Sequence, residues 1–189
     1  MIGGWGEPRT THEKNYTCGH KNCGREVGSV NGWNFISSGG RTVAFICICP
    51  ICKCPTFFDE SGSQIPGNVI GHKIEHLPAE IQQLYDEIRK STSQEAYTAA
   101  VLACRKLLMH IAVEKGAKEN LNFIDYVDHL VAEHYAPPNS QPWVDRIRQK
   151  GNEANHEIKI MSKNDAVEII NFIEMLLKFI YEFPGKVNI

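Results

Sequence analysis

Six of the seven cysteines lie between positions 18 and 54, in a pattern that could bind a metal ion. Cys18 and Cys23 form one close pair, and Cys49 and Cys52 form a second pair further along the chain. In a zinc ribbon, two hairpin turns each present such a pair of thiolates to one tetrahedral Zn²⁺. We therefore predict that these four cysteines bind Zn²⁺, and that the ion is structural because four thiolates leave no position open for water.

Three other residues compete for the same coordination positions. Cys47 precedes the second pair, Cys54 follows it, and His20 lies inside the first pair, so any of them could replace a predicted ligand. We expect the protein to lie in a reducing compartment inside the cell, where disulfides are rare. These cysteines are therefore predicted to be metal ligands or core residues rather than disulfide partners. The alternative of free core cysteines without a metal ion also remains open.

Arg148, Asn152 and His156 are a second group whose spacing could support chemistry. An α-helix turns about 100° per residue, so these residues lie on one stripe if the helix continues through Gly151. A guanidinium can bind phosphate and an imidazole can transfer a proton near neutral pH, as metal-independent RNA cleavage requires. The alternative is a packing role, in which Gly151 and Ala154 allow close helix contact and His156 bonds a neighbouring helix.

The elements that would position these two groups differ in type. Strand-like segments at residues 33–36 and 42–48 favour β hairpins around the cysteines, whereas helical periodicity begins at Pro78. We therefore predict an α+β chain. It would contain a small β zinc ribbon over residues 1–60, a linker over 61–77, and an antiparallel five-helix bundle over 78–189.

Capping residues and breaks set the limits of the five predicted helices. They run from Pro78 to Lys90, from a capping box at Thr92 and Glu95 to Lys115, over residues 121–134, from Ser140 through His156, and from Ser162 to the residue before Pro184. Cys104 falls on the apolar stripe of the second helix and is predicted to lie in the core. Between Ile169 and Ile180 the fifth helix is apolar over most of its circumference, so we expect it to be central or to face a second copy of the chain.

The composition excludes several classes of protein. The formal net charge is −2 over 189 residues, so nucleic-acid binding would need a local basic patch. The segment before residue 60 offers one candidate patch: Lys21, Arg25, Arg41 and Lys53, with Trp33 and Phe35 nearby in sequence. The N-terminus has no apolar signal-peptide core, and no apolar run is long enough to cross a membrane. We therefore expect a soluble, cytoplasmic protein.

Three segments carry a resemblance to a known family: YTAAVLACRKLL at residues 97–108, RQKGNEANH at 148–156, and YEFP at 181–184. They resemble a bacterial domain-of-unknown-function family, number 4145. The cysteine pairs, with PTFF at 55–58, look like the ribbon that precedes this domain in many members. The family is similar to the HEPN group of helical bundles. Many HEPN proteins are metal-independent ribonucleases of toxin or defence systems, whereas others are inactive dimerisation or nucleotide-binding modules.

This resemblance implies an HEPN-like bundle, a homodimer formed through it, and association with RNA or DNA. The HEPN catalytic pattern is an Arg followed, after four to six residues, by a His. Arg105 and His110 match that spacing, but they point about 140° apart on a continuous helix. Arg148 and His156 are further apart in sequence yet share a stripe with Asn152, so these three are the predicted catalytic residues of a candidate ribonuclease. The alternative is a non-catalytic dimerising adaptor, or a module that binds nucleic acid or a protein partner.

Overall fold

The computed structural model describes the backbone of residues 4–5, 9–20, 23–136, 141–156 and 160–187. Side chains are described for residues 14–20, 23–136, 142–149 and 160–187. The chain divides into two compact units, Met1–Val69 and Ile70–Ile189. The first unit contains the strands and the second contains the helices. Among the described helices, none is both long and apolar enough to cross a membrane.

The first unit is a curled antiparallel sheet of six strands. The strands are β1 (Gly4–Trp5), β2 (Arg9–Thr17), β3 (Glu26–Ile36), β4 (Thr42–Ile48), β5 (Pro55–Phe58) and β6 (Gln64–Ile65). Their order is β1-β3-β4-β5-β6, and β2 also pairs with β3. The long strand β3 therefore holds β1 and β2 on one side and β4 on the other.

One face of this sheet encloses a small core. The register places Cys47 opposite Thr56 and Phe45 opposite Phe58. The rings of Phe45 and Phe58 stack with centroids 4.9 Å apart, and the Tyr16 ring meets Phe58 edge-on at 5.3 Å. Six buried residues form the cluster: Tyr16, Cys18, Val27, Cys47, Cys49 and Phe58. Two of the predicted metal ligands are thus part of the core itself.

The prediction of a small zinc ribbon is wrong. A ribbon of that kind consists of two short hairpins, whereas this unit is a curled, half-barrel sheet that also includes β1, β2 and β6. Strand β2 has the sequence RTTHEKNYT, in which no apolar alternation marks a strand. It forms because its backbone pairs along β3, from Arg9 opposite Gly32 to Thr17 opposite Glu26. Strand β6 lies inside the predicted linker, where two residues are too few to produce a sequence signal.

The second unit is helical and is centred on one helix. The helices are α1 (Ala79–Ser93), α2 (Tyr97–Glu114), α3 (Phe123–Ala132), α4 (Gln141–His156), α5 (Lys163–Leu177) and α6 (Phe183–Val187). Helix α2 packs against α1, α3, α4 and α5 and is therefore the central helix of the unit, rather than α5. The predicted core position of Cys104, on α2, is confirmed because its side chain is fully buried.

Two of the predicted helix ends illustrate what local sequence can decide. The predicted start of the fifth helix at Ser162 is confirmed, and Ser162 forms a capping box with Asp165 there. The capping box predicted at Thr92 is wrong, because α1 continues through Ser93. Thr92 instead donates its hydroxyl to the Arg89 carbonyl at 2.7 Å and accepts from the Ile70 N–H at 3.0 Å. The Thr92 hydroxyl therefore forms these buried hydrogen bonds instead of capping the start of α2.

The last helix does not stop before Pro184. A π-helical turn, Lys178–Glu182, joins α5 to α6, and α6 includes Pro184. Proline has no backbone N–H and its ring clashes with the carbonyl one turn earlier in an α-helix. A wider π turn immediately before it changes that hydrogen-bond pattern and lets the helical path continue.

Candidate metal centre and the Arg148 helix

Two hairpin turns bring the four predicted cysteines together. Cys18 and Cys23 lie between β2 and β3, and Cys49 and Cys52 lie between β4 and β5. Because β3 and β4 are antiparallel neighbours, the start of β3 lies beside the end of β4, so both turns fall at the same end of the sheet. The second turn is closed by Cys49, whose N–H donates to the Cys54 carbonyl at 3.0 Å.

The four sulfur atoms form a compact group. Cys18 Sγ lies 3.6 Å from Cys52 Sγ, and Cys23 Sγ lies 3.7 Å from Cys49 Sγ. All four sulfurs lie within 4.8 Å of one another. Cys18 and Cys49 are buried, while Cys23 and Cys52 are half-buried. The group could hold a metal ion, and it faces the small core of the sheet on one side.

The thiols of this group differ in how readily they lose a proton. Burial raises the pKa of Cys18, and it also raises the pKa of Cys23. Burial acts in the same direction on Cys49, but hydrogen bonds from the backbone N–H groups of Cys52 and Ile51 outweigh it and lower the pKa of Cys49 to about 7. Metal ligation requires thiolates, so a bound cation would offset the cost of ionising Cys18 and Cys23.

The competing ligands lie outside this group. His20 is engaged elsewhere, since its Nε2 lies 2.9 Å from the Pro55 carbonyl. Cys54 Sγ donates to the Cys52 carbonyl at 3.6 Å. Cys47 is buried on β4, opposite Thr56. Within the described residues, the metal-ligand group contains Cys18, Cys23, Cys49 and Cys52 and none of these three.

Arg148 lies on α4 and is already paired with two carboxylates. Its Nη1 donates to Asp145, one turn earlier on the same helix, and its Nη2 donates to Asp128 on α3. The side chain is 22% exposed, and its Nε is buried without a hydrogen-bond partner. Both ends of the guanidinium fork are therefore occupied. A phosphate would have to displace one or both carboxylates to bind in a bidentate manner.

The comparison with protein-family models supplies the classification. Residues 86–189, more than half of the chain, match the model described as "Domain of unknown function (DUF4145)". The chain belongs to the DUF4145 family. The matched region contains α2 to α6 and the greater part of α1. No curated protein and no solved structure matches the chain.

The DUF4145 region contains both candidate Arg–His pairs, Arg105 with His110 and Arg148 with His156. Arg105 is 5% exposed and packs over the Phe123 ring, whereas His110 is exposed, so the two side chains lie in different environments as their angular separation predicts. Helix α4 runs continuously through Gly151 to His156 in its backbone. The side chains of Asn152 and His156 lie outside the described residues.

The acidic partners of Arg148 were not found from the sequence. Asp145 lies three residues before Arg148 and could have been found as a helical neighbour. Asp128 lies on a different helix, twenty residues earlier, and no local pattern connects it to Arg148. The packing of α3 against α4 brings the two side chains together.

Proposed function

We propose that this DUF4145 protein is a non-catalytic adaptor that binds nucleic acid or a protein partner. We further propose that a structural Zn²⁺, held by Cys18, Cys23, Cys49 and Cys52, stabilises its N-terminal sheet. The observation that carries the proposal is the pairing of Arg148 with Asp128 and Asp145, which occupies the cation that RNA cleavage would need.

The sulfur geometry supports zinc. Four sulfurs at the corners of a regular tetrahedron, each about 2.3 Å from Zn²⁺, are separated by about 3.8 Å. Two of the pairs here, Cys18 with Cys52 and Cys23 with Cys49, are separated by 3.6 Å and 3.7 Å. Four thiolates would fill the coordination sphere, so the ion would have a structural role.

The outer face of the sheet supports a binding role. Trp33 pairs with Ile46, Ile46 with Phe57, and Phe57 with Ile65, so these four residues form a row across four strands. They lie on the face opposite to the one that carries Phe58. Ile65 is 56% exposed, and the other three are half-buried. Aromatic side chains on an open sheet can stack with bases or pack against an apolar partner surface.

We also infer an HEPN-like bundle that forms a homodimer through its last helix. Phe179, Phe183 and Val187 follow one another at four-residue spacing and are 53%, 47% and 65% exposed. This spacing favours a single exposed apolar face, which a second copy could bury. Light scattering should give the mass of a dimer, and Phe183→Asp should give the mass of a monomer. A monomeric wild type would contradict this inference.

Recovery of the tagged protein from cells tests the adaptor role. Co-purifying RNA, DNA and protein should each be identified, and the preparation should then be compared with Trp33→Ser, which removes the aromatic ring from the sheet face. We expect a nucleic acid or one defined protein to co-purify with the wild type and to be depleted with the variant. Equal recovery with both would contradict a role for the sheet face.

A metal-independent ribonuclease is the second candidate, and one observation favours it. Helix α4 is continuous through Gly151, so residues 148, 152 and 156 would share one stripe. His156 would transfer the proton, Asn152 would orient the substrate, and Arg148 would have to exchange its carboxylates for phosphate. RNA cleavage by the purified protein that is lost in His156→Ala would establish this candidate over the adaptor. Cleavage that survives in the variant would exclude His156 from catalysis.

A further inference from the structure

Arg105 is a buried cation, and no described residue places an anion beside it. Its residue is 5% exposed, and its Nη1 is buried without a hydrogen-bond partner. Its guanidinium packs over the Phe123 ring, whose centroid lies 4.3 Å from Cζ. Burial lowers the pKa of Arg105, and no carboxylate in the described part of the chain offsets this effect. A buried charge without a partner destabilises a fold.

Another buried arginine of the same unit shows the usual arrangement. Arg89, on α1, is 7% exposed. Its Nε donates to the Gly71 carbonyl at 3.2 Å, and its Nη1 lies 3.7 Å from Asp86 Oδ1. Arg89 and Arg105 are therefore buried to a similar extent, but only the first has both a hydrogen bond and an ion pair within the described residues. A buried arginine of this unit can therefore have polar protein partners, and Arg105 differs from Arg89 in having none among the described residues.

A second donor without a partner among the described residues belongs to another arginine that contacts α3. The Nε of Arg148 is also buried without a hydrogen-bond partner, although its Nη1 and Nη2 are paired. Arg105 contacts Phe123 at the start of α3, and Arg148 bonds Asp128 further along the same helix. Two arginines that contact α3 thus keep N–H donors for which the described protein supplies no acceptor.

We propose that Arg105 anchors a binding site for a phosphate-type oxyanion. The ligand's oxygens would accept from the guanidinium, including Nη1, to which no described residue offers an acceptor, and the Phe123 ring would keep the guanidinium plane in place. The planar fork of an arginine matches two oxygens of a phosphate or a carboxylate. The site goes beyond the proposed function, because an adaptor role requires no small ligand.

The test compares two buried arginines in the full-length, metal-loaded protein. Arg105→Met removes an unpaired charge and keeps the apolar length of the side chain, so the melting temperature of the helical unit should rise by about 5 °C in phosphate-free buffer. Arg89→Met, the matched control, removes a paired charge and should lower the melting temperature. A fall for Arg105→Met comparable to that of Arg89→Met would overturn the proposal, because Arg105 would then be structural.

Ligand binding is measured with inorganic phosphate as the probe, at constant ionic strength against chloride. At 100 mM phosphate, a site with a Kd of about 1 mM should raise the wild-type melting temperature by roughly 10 °C. Arg105→Met should lose this gain, and Arg105→Lys should lose most of it because an ammonium lacks the planar fork. An equal gain in wild type and Arg105→Met would overturn the proposal.

Two further measurements complete the design. Acetate in place of phosphate separates the two oxyanion classes, and a gain with acetate alone would overturn the assignment to phosphate. NMR of the wild type follows the Arg105 Nε–H resonance during a phosphate titration and does not depend on the folding of any variant. A saturable shift of that resonance is expected. No shift up to 100 mM phosphate would refute the site.

Discussion

If the four cysteines hold Zn²⁺ as proposed, its removal should unfold the N-terminal sheet and leave the helical unit folded. The perturbation is either a strong zinc chelator or Cys49→Ser, which replaces one of the four sulfurs. Both remove the free energy of metal binding. The ion can bind only when the two hairpin turns lie side by side, as they do in the folded sheet. The free energy of metal binding is therefore part of the free energy of folding of the sheet.

The size of the expected loss of stability follows from a comparison of the hydrophobic cores of the two units. Among the six buried residues of the sheet, Tyr16, Val27, Cys47 and Phe58 are not predicted ligands. At roughly 1.5–3 kcal/mol for a fully buried large apolar side chain, they contribute on the order of 10 kcal/mol. A structural Zn²⁺ contributes about 10–16 kcal/mol in small domains, which is as large as this burial. The helical unit, with 27 buried residues in its cluster, does not depend on the ion in this way.

Calorimetry and circular dichroism together can resolve the two units. The metal-loaded protein should contain one Zn²⁺ per chain by elemental analysis. The chelator should abolish the transition of the sheet unit while the helical signal at 222 nm persists. Trp143 provides a reporter for the helical unit, because its ring packs edge-on against Phe172 at 5.2 Å. In a variant in which Trp5 and Trp33 of the sheet are replaced by Phe, the fluorescence of Trp143 should not change when the metal is removed.

The matched control is Cys54→Ser. Cys54 lies next to the second pair but outside the sulfur group, so this variant should retain one Zn²⁺ and both thermal transitions. Two results would refute the reasoning. One is a metal-free protein in which the sheet still unfolds cooperatively at the same temperature. The other is loss of metal from Cys54→Ser together with retention in Cys49→Ser.

Further outcomes concern the helical unit. Ile74→Ala should lower the free energy of unfolding by about 2–5 kcal/mol in denaturant titrations, because Ile74 is fully buried, whereas Leu102→Ala, at a side chain that is 43% exposed, should cost much less. Burial raises the pKa of Glu174, but the Lys178 ammonium and other donors outweigh it and hold that pKa below its ordinary value. The stabilisation from Glu174 is therefore fully present above the unfolded-state pKa of about 4.5, and it is lost as pH falls through the lower folded-state pKa. In denaturant titrations at decreasing pH, Glu174→Gln should therefore lose less stability in acid than the wild type. If the protein binds RNA or DNA, Arg148→Ala should change the affinity less than about twofold in fluorescence anisotropy, since its fork donors are already occupied. A larger loss would favour the ribonuclease candidate.

Local patterns were sufficient for part of the fold. The two cysteine pairs lie in tight turns, and turn geometry is decided by a few adjacent residues, so their spacing predicted a sulfur group that the structure brings together. The Ser162–Asp165 capping box and the buried position of Cys104 also follow from residues within one or two helical turns. The α+β content could be predicted for the same reason.

Features that depend on distant partners were out of reach. Strand β2 has no apolar alternation of its own and exists because β3 supplies a backbone ladder. Thr92 leaves its expected capping role because Ile70, far away in sequence, provides a donor. The small zinc ribbon was therefore predicted in place of a curled six-stranded sheet, since only the pairing of remote segments decides how many strands a sheet contains.

The same division applies to the candidate sites. The sequence by itself determined which side chains are thiols, cations and imidazoles, and how they are spaced along one turn or one helix. Only the tertiary structure decided that Arg148 meets Asp128 and that Arg105 is buried with its Nη1 unpaired among the described residues. The physical reason is that charge pairing depends on distances in space between helices, and helix packing, rather than local sequence, sets those distances.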